Sequence, residues 1–166
     1  MLVTLKEILN YAEANKCAIG AFHILSEDNL TAVLDAAQEL RFPVIIMHSQ
    51  ENEKKLPLAN IGPLMVDMAE KASVPVCVHL DHGMTINYIR QALIIGFSSV
   101  TYDGSSLPYE ENIPRRSCTW HPAVLPPSKV LPLPASLNRM SQKPCVALST
   151  PQASAHWHVP TAHYNT

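Results

Sequence analysis

From Met1 to about Ile113 the apolar positions switch between two spacings. Short β-branched runs alternate with stretches in which apolar residues recur every three or four positions, the rhythm of βαβ units around a parallel sheet. The opening segment predicts a helix over about 4–15, and CAIGAFHI predicts a strand over 17–24. Ser26, Glu27 and Asp28 then supply the capping and first-turn chemistry of a helix that carries Leu30, Val33, Leu34, Ala37 and Leu40 inward. Pro43 starts a second strand, PVIIMHS, over 43–49.

A looser segment from Glu51 to Pro63 leads to a helix holding Leu64, Met65, Met68 and Ala69, and Pro75 introduces a third strand, PVCVHLD, over 75–81. Thr85 caps the next helix, which carries Ile86, Ile89, Ala92, Leu93 and Ile94. Gly96 ends it, and FSSVTYD forms a fourth strand over 97–103. Near-continuous apolar strands with ionisable ends fit a parallel sheet buried on both faces, whose C-terminal edge carries the site in open α/β sheets and barrels alike. His23, Ser49, Asp81, His82 and Asp103 all fall at that edge.

The densest chemistry is VHLDHG, 78–83, where His79, Asp81 and His82 leave a strand into a glycine. Alternate strand side chains point the same way, so His79 and Asp81 share one direction, while Gly83 is expected to free a turn for His82. A neutral imidazole suits Zn²⁺, and an adjacent carboxylate can move protons on a substrate held there. The same residues could equally satisfy turn amides and one another. Both readings stay open on the motif alone.

Bulk properties narrow the class of function. The 166-residue chain is 47% hydrophobic with a formal charge of −2, enough apolar material for one ordinary domain and no electrostatic footprint for nucleic acid. No run approaches the roughly 18 consecutive apolar residues that span a bilayer, so a cytoplasmic protein with no membrane partner is expected. Cys17, Cys77, Cys118 and Cys145 show no metal-knuckle spacing and read as free thiols; Cys17 and Cys77 fall in expected strands, where a small buried hydrophobe is their ordinary role.

The composition breaks near Ile113. All fourteen acidic residues and all five glycines precede it, and nine of the fourteen prolines follow it. Residues 1–113 carry seven Lys/Arg against fourteen acids, a net of −7, whereas 114–166 carry five Lys/Arg and no acid, a net of +5. The division expected is therefore an α/β unit over 1–113 and a Pro-rich, acid-free tail over 114–166. Without acids, glycines or a sustained apolar period, the tail fits disordered linker or out-of-frame translation better than a folded module.

AIGAFHI, PVIIMHS, PVCVHLDHG and YDGSSLPYEENI stand in the order and spacing of the class II fructose- and tagatose-bisphosphate aldolases, and residues 1–113 resemble the N-terminal half of that family. The resemblance implies an incomplete TIM-type (β/α) barrel of about four units. It also implies zinc-dependent retro-aldol cleavage of fructose- or tagatose-1,6-bisphosphate to dihydroxyacetone phosphate and glyceraldehyde 3-phosphate. By position, Asp81 resembles the catalytic acid and His82 the first zinc ligand. Asp103 is similar to a residue of an alternative or second metal position, and Ser49 to a serine near the triose-phosphate end of the substrate. His79 reads as a support beneath the site. Lys54, Lys55 and Lys71 fall in expected loop or helix positions with no apolar pocket to lower an amine pKa, so no Schiff-base lysine is indicated.

His23 stands where the family usually has asparagine, and the second-half residues that complete the zinc centre and phosphate loop have no counterpart in this sequence. His121, His156, His158 and His163 match no motif that would replace them. A barrel of this type takes about 250 residues and eight strands, so half of one leaves an open edge, and activity of the chain alone is expected to be impaired. The alternative is a non-catalytic half-barrel that pairs with another chain, including a second copy of itself.

Overall fold

The computed structural model describes residues 1–112. The tail expected over 114–166 lies outside the described residues.

Helix α1, Leu5–Asn15, begins in a capping box in which Thr4 Oγ1 accepts from the Glu7 amide at 3.3 Å and the Glu7 carboxylate accepts from the Thr4 amide at 2.8 Å. Strand β1 is Ala21–His23, shorter than the 17–24 expected. Among the described residues it has a single neighbour strand, so its length is set by how far that neighbour pairs. Cys17 therefore lies outside it, contrary to expectation, and is only half-buried.

Helix α2, Glu27–Leu40, is capped by Ser26 and buries Leu30, Leu34 and Ala37 as its spacing predicts, with Val33 packed against them. Leu40 departs from expectation at 60% exposure. It lies at the open edge of the sheet, where nothing among the described residues covers it. Strand β2, Val44–Ser49, follows Pro43 and is buried on both faces.

After a 3-10 turn at Gln50–Asn52, helix α3 runs Leu58–Lys71, six residues ahead of the start inferred from Leu64. Pro63 sits inside this helix and hid its first turns. The apolar spacing of Leu58, Ile61, Gly62, Met65, Val66 and Ala69, all buried, outweighs the one backbone bond that proline removes. Strand β3, Val76–Gly83, continues two residues past the expected end. Helix α4, Ile86–Ile95, is capped by Thr85 and closed by Gly96 at φ 117; its Ile94 is 85% exposed instead of inward. Strand β4 is Ser99–Tyr102.

The four strands form one parallel sheet in the order β1-β2-β3-β4, the arrangement of an incomplete α/β barrel. Successive side chains face opposite ways. Val44 and Ile46 of β2 and Val76, Val78 and Leu80 of β3 pack with α2, α3 and α4. Ile45 and Cys77 pack on the other face with Val3 and Ile8, so α1 closes the N-terminal end of the face that a barrel would turn inward. Burial there pushes the Cys77 thiol up to about 12, the state of an inert packing residue. The first residues fill the place beside β3 that β4 has not yet reached: Val76 donates to Met1 O, and Val3 donates back to Val76 O, both at 2.9 Å. No helix among the described residues is long and apolar enough to cross a membrane.

Candidate active site

Parallel register carries the ionisable strand ends to one edge. Ser49 lies opposite Asp81, and His23 sits two strands away at the end of β1. The β3–β4 register shifts between Leu80 and Gly83, and in that irregularity His82 takes a left-handed φ of 49°. The turn out of the pleat is thus made by His82 and not by Gly83, as the sequence had suggested. Gly83 is required for space: a Cβ there would stand 2.7 Å from Ile89 Cγ1 and 3.0 Å from the Thr101 carbonyl oxygen.

The result is a string of alternating carboxylates and imidazoles. Asp103 Oδ2 lies 2.9 Å from His82 Nδ1, His82 Nε2 lies 3.7 Å from Asp81 Oδ2, and that same oxygen lies 3.1 Å from His23 Nε2. The hydrogen bond from Asp103, and next the charge of Asp81, raise the His82 pKa. Asp103 is held down to about 2, chiefly by its hydrogen bonds from Ser105, whose amide donates to Oδ1 at 3.0 Å, and then by His82. With Nδ1–H committed to Asp103, neutral His82 presents the lone pair of Nε2.

His79 lies beneath this edge with both ring nitrogens engaged, Nδ1 to Ser99 Oγ at 2.8 Å and Nε2 to Thr101 Oγ1 at 3.2 Å. It bridges β3 to β4, and burial lowers its pKa against the opposing charge of Asp81. Ser49 is buried, and its hydroxyl accepts from the Glu51 amide at 3.3 Å, which shapes the turn after β2.

Two supports escaped the sequence reading. Gln50 Oε1 accepts from the amides of Met84 and Thr85 at 2.8 and 3.1 Å, and its Nε2 donates to Thr85 Oγ1 at 3.3 Å, so the turn after β2 clamps the turn that follows His82. Behind it, fully buried His48 meets Tyr88 OH through Nε2 at 3.0 Å, and that hydroxyl donates to Glu53 at 2.6 Å. The adjacency of His48, Ser49 and Gln50 at a strand end was the available signal. Which element each would touch depends on folding.

As a metal centre the array is partial. His82 Nε2 is a suitable donor, yet the described residues contain no group of three His, Cys, Asp or Glu side chains placed to hold an ion.

A family model described as fructose-bisphosphate aldolase class-II matches residues 3–118. The chain belongs to this family. It is 40% identical over 117 residues to a 6-phospho-5-dehydro-2-deoxy-D-gluconate aldolase of Halalkalibacterium halodurans, covering 68% of this chain and 40% of that protein. It is 34% identical over 113 residues to a fructose-bisphosphate aldolase of Giardia intestinalis, covering 68% and 35%. In structure it is similar to the YdjI aldolase of Escherichia coli K12, with TM-score 0.68 and 33% identity over 76% of this chain and 49% of that one. The chain thus spans about two fifths of the length of these curated relatives and half of the solved neighbour.

Proposed function

We propose that the chain carries part of the site of a retro-aldol lyase acting on a phosphorylated ketose, fructose- or tagatose-1,6-bisphosphate being the leading candidates, with dihydroxyacetone phosphate as one product. The observation that supports this most is Asp81: a strand-end carboxylate, 24% exposed, with an imidazole on either side of one oxygen. Asp81 takes the hydroxyl proton of the carbon whose bond breaks, the carbonyl of the aldehyde forms, and the bonding pair passes to the ketone-derived fragment as an enediolate, which takes up a proton from solvent to leave as dihydroxyacetone phosphate. Ser49 stands beside Asp81 in register, and this reading assigns it to the triose-phosphate end of the substrate.

Zn²⁺, the cofactor general in this family, supplies Lewis-acid stabilisation of the enediolate when bound. His82 offers one donor for it. Asp103, expected as a carboxylate of an alternative metal position, has Oδ2 on His82 and Oδ1 on Ser105, which supports it as the group that orients the ligand. The described residues do not complete a zinc centre, so the proposal assigns this chain proton transfer at Asp81 and one donor at His82.

Release of dihydroxyacetone phosphate from each bisphosphate, measured with zinc content on the purified chain beside Asp81→Ala, tests the reading. Cleavage that falls about 100-fold or more in the variant supports it. Cleavage equal in both proteins removes Asp81 from the proton transfer, and none in either removes lyase activity from this chain.

A further inference from the structure

We propose that Gln50 is a positioning residue for the proposed reaction: by fixing Met84 and Thr85, it holds His82 in the left-handed turn that carries its imidazole between Asp103 and Asp81. The inference rests on the reading of His82 as the donor side chain, and it is tested on the fold without turnover.

Among the described residues three that are not glycine have a positive φ, namely Lys16, Arg41 and His82. Lys16 and Arg41 are the left-handed caps that end α1 and α2, an ordinary place for that conformation. His82 differs, since it lies within β3 at φ 49°. A left-handed L-residue inside a strand is strained, and such strain persists only where neighbouring contacts over-determine it. In an unbroken pleat, position 82 would face the opposite side of the sheet from Asp81. The turn therefore decides whether the His82 ring reaches the Asp81 carboxylate at all.

Contacts on both sides of His82 supply the hold. Toward β4, Gly83 pairs with Tyr102, and its carbonyl accepts from the Asp103 amide at 3.0 Å. Toward β2, Gln50 Oε1 accepts from the Met84 and Thr85 amides at 2.8 and 3.1 Å, while its Nε2 donates to Thr85 Oγ1 at 3.3 Å. Two consecutive amides on one oxygen set the direction in which the chain leaves His82. A side-chain amide suits this task, because one group accepts twice and donates as well.

Gln50 is itself anchored. The Glu53 amide donates to the Gln50 carbonyl at 3.1 Å, and the Glu53 carboxylate accepts from the Leu58 amide at 2.9 Å and the Tyr88 hydroxyl at 2.6 Å. Tyr88 belongs to α4, the helix that Thr85 caps. The segments after β2 and after β3 are thus tied twice, at Gln50 and at Glu53, so the Gln50 side chain spans two fixed points and transmits position between them.

The test is NMR of the full chain with two readouts at His82. One is the intraresidue amide-to-Hα contact, which is stronger at positive φ than at negative φ. The other is the pair of ring-nitrogen signals, which reports whether Nδ1 or Nε2 carries the proton of the neutral imidazole. In Gln50→Ala, and in Gln50→Asn, which keeps the amide and loses the reach, the ratio of Nδ1–H to Nε2–H should fall at least about threefold, the factor expected for less than one net hydrogen bond, and the amide-to-Hα contact should weaken. Gln50→Glu keeps an acceptor of the same reach and can accept from the Thr85 hydroxyl, so it should retain both signals. Thr4→Ala removes the cap of α1 at the opposite end of the sheet and should loosen the fold while leaving His82 unchanged. His82 signals unmoved in both shortened variants, moved equally by Thr4→Ala, or lost in Gln50→Glu would each overturn the proposal. Should Gln50→Ala fail to fold, the Asn and Glu variants decide. No outcome depends on cleavage, so failure here and failure of the lyase reading are separate results.

Discussion

His82 Nδ1 lies 2.9 Å from Asp103 Oδ2, a contact that ties the end of β3 to the residue after β4 and fixes which imidazole nitrogen is left to act. Its first consequence is measurable without substrate. Since this hydrogen bond is the main cause of the raised His82 pKa, Asp103→Asn should lower the midpoint of the His82 imidazole resonances in an NMR titration. An unchanged midpoint would assign the shift to the charges of Asp81 and Glu51.

His48 predicts an acid-sensitive fold. The Tyr88 hydroxyl donates to Glu53, so His48 Nε2–H must donate to Tyr88, leaving Nδ1 buried with no partner among the described residues. Desolvation lowers the His48 pKa below the ordinary 6.5, opposed by the charge of Glu53. The unfolded chain therefore binds the proton more readily. This contribution to stability is fully present above the unfolded pKa and is lost as pH falls from there toward the lowered folded value. In urea unfolding from pH 8 to 5, His48→Leu should flatten the acid limb and change stability at pH 8 by no more than about 1 kcal/mol, because Tyr88 keeps Glu53 as its acceptor.

The clamp on the turn after His82 should be worth a measurable amount. Gln50→Ala removes three hydrogen bonds to Met84 and Thr85 at an exposed site, at an expected cost of about 0.5–1.5 kcal/mol in urea unfolding. Hydrogen exchange at the Met84 and Thr85 amides should accelerate by more than the global loss explains; equal acceleration everywhere would show that the clamp is not local.

Gly83→Ala should destabilise by about 1–3 kcal/mol, because the added methyl meets Ile89 and the Thr101 backbone in a packed corner. Gly83 has no positive φ, so the cost should track crowding. Removing the facing atom with Ile89→Ala should give a double variant less destabilised than the sum of the two single ones, and a purely additive double variant would count against this explanation.

Much of this architecture was readable from local chemistry. Ser26, Thr85 and Gly96 mark helix ends, and the apolar runs after Pro43 and Pro75 mark β2 and β3, because capping and periodicity act between residues a few positions apart. The strand-end placement of His23, Ser49, Asp81, His82 and Asp103 followed from the same local pattern. The early start of α3 was hidden, since a lone proline reads as a break until the burial of Leu58 and Ile61 shows otherwise.

The sequence by itself determined the βα rhythm, the family and the edge on which ionisable side chains gather. Only the tertiary structure decided that His82 holds the left-handed turn while Gly83 makes room, and that Asp103 reaches His82 while His23 reaches Asp81. It alone joined Gln50 and His48 to elements more than thirty residues away. Backbone periodicity is a property of neighbours in the chain. Which side chains share a hydrogen bond across a sheet depends on register, and register is settled when all the strands bury their apolar faces together.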